Sequence, residues 1–194
     1  MNKEVALENL VLARDVLTTI GLNYFIIDGT LLGAIRDKDF IPHDDDLDMG
    51  VFMEEWDLPL FAKVFEAMMR KGFILYHSFG KFGENFEVAW YRKGIKLDFF
   101  FYYKEGDKRK FNAFLNGGRT LPDDIITYSY DDFLIEDLIL ENFKGEYFNI
   151  PIDAGKVLVA KYGENWKIPD KRWNWATSPK NLESIGKARN NIYD

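Results

Sequence analysis

Two stretches of the chain place apolar residues at helical spacing. In Lys3–Ile20 these residues form one face of a predicted helix, and Gly21 is a suitable stop. A second helix is predicted over Trp56–Arg70, with Asp57 as its N-cap and Gly72 as its stop. These are the two long helices that the pattern predicts.

Short apolar runs and alternating apolar and polar residues predict the strands. The run YFII is typical of a short buried strand, and DLDMGVF, residues 46–52, alternates in strand fashion. Residues 73–103 divide into strands at turns in Gly80–Asn85 and at Lys93-Gly94. LILENFKGEYFNIP is predicted to be a hairpin that turns at Lys144-Gly145.

The remaining segments are shorter or less regular. DGTLLGAIRD is predicted to form a turn of helix framed by two glycines, and Asp153 is a candidate cap for a short helix ending at Tyr162. Residues 104–110 are predicted to be a charged loop, and residues 122–132 match no clear pattern. The whole pattern predicts an α+β (mixed α/β) fold with a central sheet.

The chain shows no internal repeat, low-complexity tract or linker, so a single domain is predicted for residues 1–194. Its C-terminal segment, residues 162–194, contains Trp166, Trp173 and Trp175 and is predicted to be irregular but ordered and packed on that domain. The tryptophans either wall a substrate pocket by stacking or pack in a core.

Composition narrows the chemistry. The 194 residues are 47% hydrophobic and 16% aromatic, which suits one compact domain. Cysteine is absent and the histidines are His43 and His77, so a metal would be held by oxygen, which favours Mg²⁺ or Mn²⁺. The net charge of −7 argues against binding to nucleic acid. No run approaches the roughly 18 apolar residues of a membrane span, and the mixed charges at the N-terminus do not fit a signal peptide, so we expect a cytoplasmic location.

The stretch FIPHDDDLDMGVF concentrates carboxylates at Asp44, Asp45, Asp46 and Asp48. Adjacent carboxylates raise one another's pKa, so the run destabilises a fold unless a cation neutralises it. On a strand, Asp46 and Asp48 project from the same face. Asp98 lies inside the apolar run IKLDFFFYY, where a carboxylate needs a partner.

Three carboxylates on neighbouring strands, two of them spaced i and i+2, suit two divalent cations about 4 Å apart for phosphoryl or nucleotidyl chemistry. Two alternatives stay open for the third carboxylate: Asp98 forms an ion pair with a nearby Lys or Arg, or Glu87 replaces it as the ligand. A calcium loop of the EF-hand type is rejected, because Met49 stands where that loop requires glycine.

The segment GTLLGAIRDKDFIPHDDDLDMGVF resembles the signature of the LicD family, and YGENWKIP resembles a segment near the end of such domains. That family includes bacterial phosphocholine transferases and fukutin-related proteins. The resemblance implies a nucleotidyltransferase fold, with a central mixed sheet flanked by helices. The sequence departs from the family pattern at Asp39, where Gly is usual, and at His43, where an aromatic residue is usual.

The resemblance also implies residue roles. Gly29 and Thr30 would approach the nucleotide phosphates, and Asp46 and Asp48 would be paired metal ligands. Asp98 is our assignment for the third metal ligand, and all three aspartates would be catalytic. Arg36 either binds a phosphate or pairs with a neighbouring Asp. Asp44 and Asp45 are expected to orient the site and not to bind the metal directly.

The implied activity is transfer of phosphocholine or a polyol phosphate from a CDP-activated donor to a hydroxyl of a glycan or glycolipid. A lipid-linked acceptor would imply peripheral membrane association. Two alternatives are an NTP-dependent nucleotidyltransferase acting on a small hydroxyl compound, and a non-catalytic module that binds a cation or a partner.

The two histidines and four basic residues near the C-terminus are the remaining polar candidates. His43 either acts as a base or has no role, and His77 is expected to be a hydrogen-bonded strand residue. The basic residues near the C-terminus either offset substrate charge or form a solvated patch; they are Lys161, Lys167, Lys171 and Arg172.

Overall fold

The computed structural model describes residues 1–115 and 124–187. The helices are α1 Lys3–Ile20, α2 Asp28–Leu32, α3 Leu58–Arg70 and α4 Ala154–Tyr162. The strands are β1 Tyr24–Ile26, β2 Asp46–Phe52, β3 Ile74–Phe79, β4 Glu87–Arg92, β5 Ile95–Glu105, β6 Lys108–Leu115, β7 Asp124–Asp131, β8 Leu138–Phe143, β9 Glu146–Pro151 and β10 Leu182–Lys187.

The two long helices begin and end where local chemistry dictates. The side chain of Asn2 caps α1 by accepting from two amides of its first turn, and Gly21 ends it at a φ of 87°. The prediction for α1 is confirmed. The predicted start of α3 at Trp56 was two residues too early, because Asp57 is the N-cap and accepts from the Leu60 amide at 2.7 Å.

One sheet of eight strands organises the fold. Its main path runs β1-β2-β5-β6-β7-β10, while β4 pairs with β5 and carries β3 at its outer side. β2 and β5 are parallel and their neighbours are antiparallel, so the sheet is mixed. β8 and β9 form a separate hairpin. The predicted α+β fold with a central sheet is confirmed.

Helices cover the sheet and complete the core. α1 contacts α3 and β5, and α2 contacts β2 and α4. α2 continues directly into a π-helical turn, Gly33–Asp37. No helix in the described residues has the length and apolar character needed to cross a membrane.

One sequence prediction fails beside β6, and one unassigned stretch proves to be a strand. Residues 104–110 are a hairpin and not a loop, since β5 extends to Glu105 and β6 begins at Lys108. Charged residues can occupy these strands because they form ion pairs across the ladder, such as Lys108 with Asp131 at 2.5 Å. The unassigned stretch forms β7 from Asp124 onward, while residues 122 and 123 lie outside the described part of the chain.

The C-terminal segment returns to the sheet. Asp153 precedes α4 but its side chain does not cap the helix. Irregular turns follow α4. They are tied to β7 by the Tyr128 hydroxyl, which donates to the Trp175 carbonyl at 2.6 Å. β10, which the sequence pattern did not predict, then pairs with β7. Residues 188–194 lie outside the described residues, and the single-domain assignment stays a prediction.

Candidate functional site

Three carboxylates meet on the central parallel strands. Asp48 of β2 and Asp98 of β5 are direct partners in the ladder, and Asp46 lies two residues earlier on the same face. One oxygen of each carboxylate lies within 4.8 Å of the others. We call Asp46, Asp48 and Asp98 the three-carboxylate cluster. The alternation in β2 and the parallel pairing with β5 therefore bring together the three predicted site residues.

The start of α2 holds Asp48 in place. Asp48 Oδ2 accepts from the amides of Gly29 at 2.9 Å and Thr30 at 3.3 Å. The Asp48 amide in turn donates to Thr30 Oγ1 at 2.8 Å. A Cβ on Gly29 would lie 2.4 Å from Asp44 Oδ2 and 3.2 Å from Asp48 Oδ2, so a side chain at this position would displace the Asp44 carboxylate. The two amides predicted to approach nucleotide phosphates thus orient a carboxylate in this structure.

Lys96 is a site residue that the sequence reasoning missed. Its Nζ lies 2.7 Å from Asp98 Oδ2 and 3.1 Å from Asp46 Oδ2. Asp98 therefore has the basic partner that one alternative proposed, although its Oδ1 is buried without a hydrogen-bond partner. The signal was available, because Lys96 precedes Asp98 by two residues and must share its face of β5.

The site carries more negative charge than its surroundings compensate. Burial raises the pKa of Asp98 to about 8, against the opposing effect of Lys96. Burial and the charge of Asp46 raise the pKa of Asp44 to about 7. Burial also raises the pKa of Asp48 well above its usual value, and nearby carboxylates add to this effect. Such a cluster favours a bound cation.

Glu87 and His77 lie beside the cluster. Glu87 Oε2 accepts from the Phe114 amide at 2.9 Å, and Oε1 lies 3.3 Å from His77 Nε2. Glu87 is not grouped with Asp46 and Asp48, whereas Asp98 is. Of the two candidates for the third carboxylate, Asp98 therefore lies where the cluster requires it.

A buried ion pair forms a second charged feature that sequence reasoning missed. Lys161 is only 5% exposed and pairs with Asp28, whose φ is 49°. Its ammonium also lies 5.5 Å from the ring centre of Phe111 and 5.0 Å from that of Tyr128. Lys161 is thus not part of a solvated basic patch. No local pattern could have found the pair, because Asp28 and Lys161 come from distant parts of the chain.

Arg36 has the neighbouring partner that its alternative reading proposed. Its Nε and Nη2 each donate to the Asp37 carboxylate at 2.8 Å. Arg36 follows Gly29 by seven residues, which in a regular α-helix would place both residues on one face. Here Arg36 lies in a π-helical turn, so that relation does not hold. Arg36 nevertheless lines the same cleft as Gly29.

The three-carboxylate cluster lines one cleft of about 1320 Å³, together with Gly29, Arg36, His77, Glu87, Lys96 and the Asp28–Lys161 pair. Its other wall comes from the C-terminal segment, where Trp173 packs on Tyr162 with ring centres 4.5 Å apart. Trp166, Trp175 and His43 also line it. The cleft therefore combines an acidic floor with an aromatic wall.

The family model described as LicD/FKTN/FKRP, nucleotidyltransferase domain, matches residues 21–152. Human "Ribitol-5-phosphate transferase FKTN" is 31% identical over 185 residues, which cover 95% of this chain and 38% of that protein. The mouse protein of the same name is 32% identical over 182 residues, or 93% of this chain and 37% of that protein. An uncharacterised Caenorhabditis elegans protein is 31% identical over 193 residues, or 95% of this chain and 48% of that protein.

This chain thus spans less than half the length of these relatives. Among solved structures, the crystal structure of ANT(2")-Ia in complex with adenylyl-2"-tobramycin is 12% identical, covers 52% of this chain and 51% of its own, and has a TM-score of 0.38. The family model matches more than half of the chain, including the strands and the turn that build the acidic floor. The chain belongs to the LicD/FKTN/FKRP nucleotidyltransferase-domain family.

Proposed function

We propose that this chain is the transfer domain of a metal-dependent enzyme. It moves a phospho-substituent from a CDP-activated donor to a hydroxyl of a glycan or glycolipid. The observation that carries the proposal is the convergence of the three-carboxylate cluster in a cleft of about 1320 Å³. The name of the human and mouse relatives favours a polyol phosphate, ribitol 5-phosphate, over phosphocholine.

The residues of the cluster fit a hard divalent cation. All three ligands are carboxylates, and Asp98 Oδ1 is buried without a partner. Asp46, Asp48 and Asp98 would therefore hold Mg²⁺ or Mn²⁺. When bound, the ion supplies positive charge that neutralises the donor's diphosphate and the leaving CMP.

The protein prepares this site before the substrates arrive. The amides of Gly29 and Thr30 fix Asp48, so it needs no reorganisation to act as a ligand. Lys161 and Arg36 place positive charge on the cleft wall for phosphate groups, each oriented by its own aspartate partner. We assign proton acceptance from the acceptor hydroxyl to the carboxylate of Asp98.

A thermal-shift titration tests the proposal. The ligands are CDP-ribitol, CDP-glycerol, CDP-choline, CTP and ATP, each with and without Mn²⁺. We expect a CDP compound to stabilise the protein only with metal, and CDP-ribitol to do so most. Asp46→Asn should abolish this stabilisation. Asp107→Asn, which makes the same change at an exposed residue of the β5–β6 turn, should preserve it.

The other outcomes decide against the proposal. Stabilisation by a triphosphate alone, with release of pyrophosphate instead of CMP, would establish nucleotidyl transfer. No response to any nucleotide would leave a module that binds a cation or a partner.

A further inference from the structure

A second group of metal-ligating side chains lies beside the three-carboxylate cluster. One ring nitrogen of His77, one oxygen of Glu87 and one oxygen of Asp98 lie within 4.8 Å of one another. Three adjacent strands supply them. His77 is paired with Ala89 and Ala89 with Asp98, while Glu87 lies two residues before Ala89 on the same face of β4.

Each of these side chains is already held in place. Glu87 is anchored by the Phe114 amide, which donates to Oε2 at 2.9 Å. The His77 ring stacks on Phe79 with ring centres 4.3 Å apart and presents Nε2 to Glu87 Oε1 at 3.3 Å. The side chains of Glu87 and Asp98 are 6% and 4% exposed. The group is therefore a pre-arranged feature of the cleft and not a set of mobile surface residues.

The group contains buried polar atoms without partners. Asp98 Oδ1 and His77 Nδ1 are both buried and make no hydrogen bond within the described structure. The other oxygen of Asp98, Oδ2, pairs with the Lys96 ammonium, which also pairs with Asp46. Asp98 thus uses Oδ2 on the side of the three-carboxylate cluster and keeps Oδ1 unsatisfied. The unsatisfied lone pairs of Asp98 Oδ1 are stabilised by a cation.

We propose that His77, Glu87 and Asp98 form a second cation site that prefers a first-row transition ion such as Mn²⁺ to Mg²⁺. An imidazole nitrogen beside two carboxylates suits Mn²⁺, whereas Mg²⁺ is normally held by oxygen ligands. The site rests on the proposed function only through Asp98, which both groups share. It also changes the expectation that a metal in this protein is held by oxygen alone.

Electron paramagnetic resonance tests the site on the whole chain without any nucleotide. Titration with Mn²⁺ counts the bound ions, and pulsed measurement of the bound Mn²⁺ detects a nitrogen nucleus in its coordination sphere. The chain has two histidines, so His77→Gln and His43→Gln form a matched pair. We expect two bound ions and a nitrogen signal in the wild type and in His43→Gln, and one ion without the signal in His77→Gln.

Glu87→Gln is a second variant, since its amide oxygen can still accept from Phe114; it should also lose one ion. Melting curves of both variants check that they fold. A wild type without a nitrogen signal, or a signal that persists in His77→Gln, would overturn the proposal and leave His77 and Glu87 as a hydrogen-bonded pair. Asp46→Asn should retain the nitrogen signal, so failure of the CDP-donor proposal is distinguishable from failure of this site.

Discussion

Two aspartates are similarly buried but have different partners. They are Asp98 in the cleft and Asp132, which follows β7. They are 3% and 6% exposed. Burial raises the pKa of Asp98 to about 8, and the partial compensation by Lys96 does not reverse this. Burial also acts on Asp132, but hydrogen bonds from Lys104 and Arg109 lower its pKa below the usual value. Similar burial therefore produces opposite pKa shifts.

The difference lies in the partners. Arg109 donates to Asp132 at 2.7 Å, also pairs with Glu54, and stacks 4.8 Å above the Phe52 ring. Lys104 completes this group, which we call the Arg109 network. In the cleft, by contrast, the described basic side chain within salt-bridge distance of the three-carboxylate cluster is Lys96. A compensated buried charge supports the fold, whereas an under-compensated one is arranged for a ligand.

The largest expected effect comes from breaking the compensated group. Arg109→Met should lower the free energy of unfolding by about 3–5 kcal/mol, because the buried Asp132 loses its buried cationic partner and keeps only the half-exposed Lys104. Urea denaturation measures the loss. Lys104→Met, at a half-exposed position, should cost much less. An Arg109 variant as stable as the wild type would show that the network does not support the fold.

Removing a carboxylate from the three-carboxylate cluster should have the opposite effect, a large loss of activity without a loss of stability. Asp48→Asn should reduce the transfer rate by about 10²–10³-fold, which is a typical cost for lost electrostatic stabilisation of a transition state. The metal-free protein should be as stable as the wild type or more so, since one uncompensated charge is removed and the amide oxygen can still accept from Gly29 and Thr30. CMP release and melting curves measure the two quantities. A large loss of stability would make Asp48 a structural residue like Asp132.

A third variant removes Lys96, whose ammonium pairs with two carboxylates of the cluster. Lys96→Met should destabilise the metal-free protein by about 1–3 kcal/mol, because Asp46 and Asp98 lose a charged hydrogen-bond donor. The same variant should bind Mn²⁺ more tightly, since no ammonium competes for those oxygens. Calorimetric titration and melting curves check both effects. Weaker Mn²⁺ binding would mean that Lys96 supports the metal site instead of competing with it.

The sequence predicted what depends on neighbours along the chain. The spacing in α1 and the alternation of Asp46 and Asp48 in β2 follow from local geometry and agree with the structure. The position of Asp98 opposite Asp48 depends on the parallel pairing of β2 and β5, whose direction and register no local pattern specifies. Lys96 could have been found from the two-residue alternation of a strand, because it precedes Asp98 by two residues.

Features that depend on distant pairing could not be read in this way. β10 is a strand because it pairs with β7, and it has no strong pattern of its own, whereas β7 alternates Ile126, Tyr128 and Tyr130 with polar residues and could have been predicted. The pair of Asp28 and Lys161 exists because α4 packs on α2. Lys161 is therefore buried, although its residue type and the basic residues that follow it in the sequence suggested an exposed position.

The smallest expected effect concerns Glu8, a half-exposed carboxylate on α1. Glu8 accepts from Arg92 at 2.7 Å and from Lys93 at 2.8 Å, and these hydrogen bonds lower its pKa from 4.5 to about 2. Because the folded pKa lies below the unfolded one, the stabilisation is complete above pH 4.5 and is lost as the pH falls towards about 2. The stability difference between wild type and Glu8→Gln, measured by urea denaturation, should therefore shrink on acidification and in high salt. A difference that grows on acidification would reverse the sign and place Glu8 with Asp44, Asp48 and Asp98, whose pKa values are raised.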